Sequence, residues 1–251
     1  TFLDDDVVTI EEILSLDGKL DEGQYAINNA LIEWVTLANV VNAGGDISDE
    51  AGNPTINTDA MRSVVEQLKS VADAGLMSPY GEDGYAMFQS GDVLFSTDGT
   101  WTSTAHGSVE GLNFGVTNIY SVTPDKFTNR SSAHLFSLLN NEDRTDEKEQ
   151  GVADFLSWMR ENSLDWAGAG QIVASKEVFE SEEYQQYPQS FFTSSDVEKE
   201  ASYIFDYKYY SYVESALGTV LSDMIYGNIT IDEGLDQAQK TVEDLIAENA
   251  S

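Results

Sequence analysis

The sequence predicts an α/β layered fold. Three observations carry that prediction. Short apolar runs of strand character alternate with segments of helical period, capping residues and glycines punctuate the junctions, and 41% hydrophobic residues with only 4 Pro in 251 positions suffice for a sizeable core. That core would be arranged as one large domain or two small ones.

Thr9 and Glu12 have capping-box spacing and open a helix bearing Ile10, Ile13, Leu14 and Leu16, expected to end near Gly18 or Gly23. Residues 25–41 read as a strand through Ile27 and then a helix carrying Leu31, Trp34, Val35, Leu37 and Val41, stopped by Gly44 and Gly45. Residues 46–56 read as a hairpin whose turn holds Gly52 and Asn53. Thr58 caps a helix with Met61, Val64, Val65, Leu68 and Val71 at helical spacing, ended by Gly75. In residues 86–101 a short apolar strand ends in an Asp98-Gly99 turn that presents the Trp101 indole.

Two more strands are expected at residues 114–119 and 133–139, before Thr145 opens a helix with Val152, Phe155, Leu156 and Met159. Residues 165–173 form a Gly-containing loop around Trp166, residues 178–187 look helical, and residues 203–212 pack six aromatics into ten positions. A helix then runs to Tyr226, and Thr230 with Glu233 makes a second capping box for a terminal helix bearing Leu235, Ala238, Val242, Leu245 and Ile246. No tandem repeat, low-complexity tract or long linker interrupts the chain.

Charge narrows the function. With 45 Asp and Glu against 12 Lys and Arg the net is −33, which disfavours nucleic acid and anionic membrane because both would repel the protein. It suits a secreted or wall-exposed protein, or one from a salty environment. The acids are spread among apolar periodic positions, as solvated helix faces are, and do not form a disordered tail. The absence of Cys excludes disulfides, thiolate metal sites and cysteine nucleophiles, and no run approaches the length of a membrane span.

Several superficial motifs fail on spacing. Asp46, Ser48, Asp49 and Glu50 resemble a calcium loop, but Gly52 stands at the seventh position and no Glu stands at the twelfth, so turn chemistry is the better account. His106 and His134 are too few for a metal site, and the Ala167-Gly-Ala-Gly-Gln run lacks the third Gly of a dinucleotide fingerprint. Asn129-Arg-Ser and Asn228-Ile-Thr match the glycosylation acceptor pattern, which chance alone often produces. Neither metal nor cofactor is expected.

Five blocks, in order along nearly the whole chain, carry a family resemblance. They are Thr9-Ile-Glu-Glu-Ile; Asn42-Ala-Gly-Gly-Asp-Ile-Ser-Asp-Glu-Ala-Gly-Asn-Pro-Thr; Phe88-Gln-Ser-Gly-Asp-Val-Leu-Phe-Ser-Thr-Asp-Gly-Thr-Trp; Asn113-Phe-Gly-Val-Thr; and Tyr226-Gly-Asn-Ile-Thr-Ile-Asp-Glu-Gly-Leu. Together they resemble the extracellular solute-binding proteins of ABC importers, in the carbohydrate-binding group that includes maltose-binding protein. The resemblance implies a periplasmic-binding-protein type II fold. Residues 1–125 and 174–251 would form most of the second, C-terminal lobe, and residues 128–172 would cross back to the first. It begins partway into the family's chain, so the sequence reads as part of a longer protein whose signal peptide or lipoprotein cysteine would lie upstream.

The same resemblance selects candidate ligand contacts. Trp101 matches a sugar-stacking Trp of the family, and the resemblance favours that role over a core Trp beside a turn; Trp34, eleven positions before Gly45, matches an aromatic that touches sugar and could equally be a core residue of its helix face. Tyr207, Tyr209 and Tyr210 lie where relatives place another stacking aromatic, with the alignment ambiguous by several positions. Glu33 and Asp98 could bridge sugar hydroxyls, since a carboxylate accepts several hydrogen bonds, although plain surface carboxylates are common in so acidic a chain. Trp166 falls in a loop resembling the family's hinge-side loop, with packing as its simpler role.

The implied function is non-catalytic capture of a sugar or oligosaccharide outside the cell by a monomer, through lobe closure, for delivery to an ABC transporter permease. Two other classes remain open from residues alone: a carboxylate-dependent glycoside hydrolase, and a surface adhesion or scaffold module.

Overall fold

Capping chemistry fixes where the helices begin. In the computed structural model, which describes residues 7–194 and 201–249, the Glu12 N–H donates to Thr9 Oγ1 at 3.1 Å and the Thr9 N–H to Glu12 Oε2 at 2.9 Å, the reciprocal capping box. The helix so opened, α1 (Ile10–Leu14), stops short of the expected Gly18. Ser15 Oγ donates to the Glu12 carbonyl at 2.7 Å, giving the backbone a local partner outside a continuing helix.

Next come β1 (Tyr25–Ile27), α2 (Ile32–Asn42) and α3 (Asp59–Asp73), close to their expected limits. Gly45 is a steric requirement at the end of α2, because a Cβ there would lie 2.6 Å from Ala60 Cβ. Between α2 and α3 the hairpin reduces to one antiparallel bridge, Ser48 with Pro54, and the Asp49 carboxylate accepts from the N–H groups of Ala51 and Asn53. α4 (Gly84–Ser90), capped by Asp83, takes the first part of the run from Ala86, leaving β2 (Val93–Phe95) as its strand.

After α5 (Ser103–Gly107) and β3 (Asn129–Arg130) come α6 (Asp146–Glu161), α7 (Ser163–Gly168) and α8 (Lys176–Phe179). After a single helical turn at Phe191–Ser194 come β4 (Ser202–Tyr203), α9 (Tyr210–Ile225) and α10 (Ile231–Asn249). α10 starts at the second predicted capping box, with the Thr230 N–H donating to Glu233 Oε2 at 3.0 Å.

The chain divides into two compact units. The first comprises Thr1–Asp98, Thr117–Ser131 and Ala201–Ser251, and the second Gly99–Val116 and Ser132–Glu200. The first unit holds two parallel strand pairs, β1 with β2 (Tyr25 opposite Val93) and β3 with β4 (Asn129 opposite Ser202). Helices α2, α3, α9 and α10 pack together beside them, burying Ile27, Leu37, Val64, Leu68, Leu217 and Leu235 completely. Burial of each such side chain contributes about 1.5–3 kcal/mol. The second unit has a smaller core of Ala167, Val173 and Tyr184, with Leu164, Val178 and Tyr187 against it.

Four expectations are corrected. Residues 114–119 form no strand: the Ile119 N–H donates at 2.9 Å to the Asn129 side-chain oxygen, so a side chain supplies what a ladder would. Residues 133–139 are also irregular, and Leu135, Phe136 and Leu139 are 84%, 65% and 78% exposed, because no strand among the described residues pairs with them. α6 forms where Thr145 was expected to open it, with Val152 and Met159 half-buried and no residue fully buried. The expected Gly loop after Asp165 is helical to Gly168, whereas the helix expected over 178–187 is broken into α8 and a 3₁₀ turn at Tyr184–Gln186. The second unit shares residues 132–172 with the expected crossing segment and also takes in 99–116 and 173–200.

Candidate functional site

The first unit gathers aromatic and charged side chains at the N-terminus of α2. Leu31, immediately before that helix, has φ 48° and ψ 36°, the left-handed conformation that a branched side chain seldom adopts. This turn directs Glu33 and Trp34, both half-buried, out of the first helical turn.

Arg130 on β3 lies over them. Its guanidinium carbon is 4.2 Å from the Trp34 ring centroid and 5.4 Å from that of Tyr210. Arg130 Nε donates to Tyr210 Oη at 2.8 Å, Nη2 donates to Glu214 Oε1 at 2.8 Å, and Tyr210 Oη donates to the same oxygen at 3.0 Å. Tyr210 and Glu214 stand one turn apart on α9, so a single helix face supplies both partners. Phe205 stacks on the Tyr210 ring at 5.3 Å with an interplanar angle of 24°.

Burial governs the titration of this cluster. Desolvation, with Glu214 nearby, raises the Glu33 carboxyl above the ordinary range, against a backbone hydrogen bond and the opposing pull of Arg130. Desolvation likewise pushes the Tyr210 phenol up to about 12, so it stays protonated and can donate.

Of the predicted site residues, then, Glu33, Trp34 and Tyr210 come together. Tyr207 and Tyr209 are directed elsewhere: Tyr207 Oη donates to the Gly52 carbonyl at 3.4 Å, while Tyr209 stacks on Tyr212 at 5.7 Å and lies under Lys208 Nζ at 4.7 Å. Asp98, partly exposed, ends a segment of the same unit. Sequence reasoning missed Arg130 and Glu214, and the one available signal was the scarcity of cations in so acidic a chain.

Trp101 belongs to the second unit and is 48% exposed, on a 3₁₀ turn at Thr100–Thr102. Two glycines seat that turn. A Cβ on Gly99 would fall 2.1 Å from the indole, and one on Gly170, whose φ is +85°, would fall 2.3 Å from the Thr100 carbonyl. Thr104 Oγ1 donates to the Gly168 carbonyl at 2.8 Å, tying α5 to the end of α7. Gly170 therefore serves close packing, and Trp166 itself is 44% exposed with His134 edge-on at 6.4 Å.

Other motifs take structural roles. Asn129 is buried, donating to Asn118 Oδ1 at 2.7 Å, so its acceptor sequence is closed to modification in the folded chain. His106 is buried edge-on to Phe114. Among the described residues no group of three or more His, Asp or Glu could hold a metal ion, and no helix is long and apolar enough to cross a membrane.

These features meet in a known class: the chain belongs to the bacterial extracellular solute-binding protein family, whose model matches residues 1–193. Its fold is that of the periplasmic-binding-protein type II sugar-binding proteins, represented here in part and rich in helix. The maltose/maltodextrin-binding domain MalE of Bdellovibrio bacteriovorus, bound to maltotriose, aligns with a TM-score of 0.79 at 16% identity, over 96% of this chain and 67% of that one. The cyclic α-maltosyl-1,6-maltose binding protein of Arthrobacter globiformis gives 0.69 at 18% identity, over 97% and 65%. The substrate-binding protein Lmo0181 of Listeria monocytogenes, in complex with cycloalternan, gives 0.71 at 14% identity, over 96% and 64%. The chain thus spans about two thirds of the length of these structures. No curated protein matches it in sequence.

Proposed function

We propose that this chain is the greater part of a carbohydrate-binding protein that captures a sugar or oligosaccharide outside the cell and delivers it to the permease subunits of an ABC transporter. Capture is non-catalytic, by lobe closure in the complete protein, which acts as a monomer and is a cell-surface lipoprotein or a periplasmic protein. Family membership and the sugar-bound proteins sharing its fold support this reading above a hydrolase or a scaffold. The lobe assignment proposed for the complete protein stays as the resemblance implies, with residues 1–125 and 174–251 in the second lobe.

The observation that carries the reading is the pairing of ring faces with hydrogen-bonding groups at positions the resemblance selects. Trp101 offers an exposed indole beside Thr100 and Thr102, and Trp34 stands beside Glu33 and Tyr210. Ring faces cover the apolar C–H surface of a sugar while carboxylate, hydroxyl and amide groups read its hydroxyl pattern. Asp98 is proposed for such a polar role, and Tyr207 and Tyr209 stand behind Tyr210 as weaker candidates.

Thermal-shift measurements against a panel of neutral di- and trisaccharides and polyols test the proposal. At least one should raise the melting temperature in a concentration-dependent manner, as any ligand that binds only the folded state must. Trp101→Ala should weaken binding of that sugar by about tenfold or more, about 1.4 kcal/mol. An unchanged affinity removes Trp101 from the site.

A further inference from the structure

α9 ends in a turn of defined geometry. Gly227, with φ +75°, donates its N–H to the Met224 carbonyl at 3.2 Å, and the Asn228 N–H goes to the Asp223 carbonyl at 2.8 Å, the paired bonds of a Schellman cap. This cap holds Asn228 exposed between α9 and α10. One N–H of its side-chain amide is donated to Asp223 Oδ1 at 2.9 Å, and the other meets no acceptor among the described residues. Thr230, two positions on, is exposed as well, and the residue between them is Ile229 and not Pro, so the whole acceptor pattern stands at the surface.

A sugar attached there would find an aromatic neighbour. Asp223 Oδ1, which holds the Asn228 amide, also accepts from Tyr80 Oη at 3.1 Å. Tyr80 is 53% exposed and stands edge-on to Tyr226 at 5.4 Å, so an anchored ring lies beside the amide and offers apolar surface to a sugar ring.

We propose that Asn228 is a site of N-linked glycosylation, with the first sugar of the glycan against Tyr80, and that Asn129 is not such a site. The proposal goes beyond sugar capture and rests on the location outside the cell proposed above. The co-reactant is a lipid-phosphate-linked glycan, and the catalyst a membrane-bound glycosyltransferase. Asn228 Nδ2 displaces the phosphate at C1 of the first sugar: the N–C1 bond forms, the C1–O bond breaks with its electron pair left on the phosphate oxygen, and one amide proton passes to that oxygen. The second amide proton stays, so the bond to Asp223 survives. The Thr230 hydroxyl that a transferase reads donates to Glu233 Oε2 at 2.7 Å, in the first turn of α10, and helix ends fray. Asn129 has no such freedom. Its buried amide donates to Asn118 at 2.7 Å, and a glycan there is incompatible with the fold.

Mass spectrometry of the complete protein, recovered from the exterior of its native cells, tests the proposal. The tryptic peptide 209–240 should carry a glycan at Asn228, and Asn129 should be unmodified. Thr230→Asp keeps a good capping residue but removes the hydroxyl, so this variant should fold and lose the glycan, whereas Thr230→Ser should retain it. In hydroxyl-radical footprinting, Tyr80 should be oxidised more slowly in the glycosylated protein than in Thr230→Asp. Protein outside the cell with Asn228 unmodified overturns the proposal and leaves the location standing. Protein found only inside the cell and without a glycan overturns both. A glycan at Asn129 of folded protein, or one that persists in Thr230→Asp, overturns the selection of the site, and equal oxidation of Tyr80 overturns its contact with the sugar.

Discussion

At the scale of single residues, Arg130 and Glu33 make opposite contributions. Arg130 replaces water with two ring faces, a phenol oxygen and a carboxylate, and removing it leaves Glu214, whose side chain is only 27% exposed, with the Tyr210 hydroxyl but without its cation. Arg130→Met should therefore destabilise the fold by about 2–3 kcal/mol, read from urea melts. Glu33 has its folded-state pKa raised by burial, so its ionised form costs stability at neutral pH, and the cost is relieved as pH falls through that raised value. Glu33→Gln should accordingly be more stable than wild type at pH 7, with the difference shrinking toward pH 4. A difference that grows on acidification would contradict the desolvation account. Sequence could nominate Glu33, Trp34 and Tyr210 because each sits in a local pattern. It could not nominate Arg130 and Glu214, whose pairing spans 84 positions and exists only after β3 and α9 have docked.

At the scale of elements, the capped helices were the most legible part, since Thr9, Thr58, Thr145 and Thr230 each settle a helix start with groups three residues away. The strands at 114–119 and 133–139 were misread because an apolar run specifies a strand only if another strand meets it. Side chains secure Ile119, through Asn129, and the residues just beyond it. Buried Asn39 donates from Nδ2 to the Val35 and Tyr120 carbonyls, both at 3.0 Å, and its Oδ1 accepts the Val122 N–H at 2.8 Å; Asn42 adds a bond to Ser121 Oγ at 3.1 Å. One amide thus fastens the segment beyond residue 117 to α2. Asn39→Leu keeps the apolar volume but leaves the Tyr120 carbonyl and Val122 N–H without these partners, and should cost about 2–3 kcal/mol in chemical denaturation. A loss under half a kilocalorie would mean water or neighbours replace the clamp.

At the scale of the whole molecule, the net charge of −33 over 251 residues dominates. Like charges crowded onto a folded surface repel more than in the expanded chain, and salt screens them over a Debye length of about 10 Å at 0.1 M. The melting temperature should rise between low and molar sodium chloride, and a flat response would show that local pairs such as Lys69 with Asp73 already offset the repulsion. The α/β class and its family were legible because periodicity, caps and ordered blocks can be read from the chain alone, four of the five blocks lying inside the matched residues 1–193. The limits of the two units were not, since they are set by packing between segments remote in sequence, such as Thr100 against Gly170.

The proposed role of Trp101 as a ring face for a sugar is tested most directly by tryptophan fluorescence titration with maltotriose. The account predicts a saturable change in the wild-type chain, weakened about tenfold or more by Trp101→Ala. A saturable signal of unchanged midpoint in that variant would contradict it.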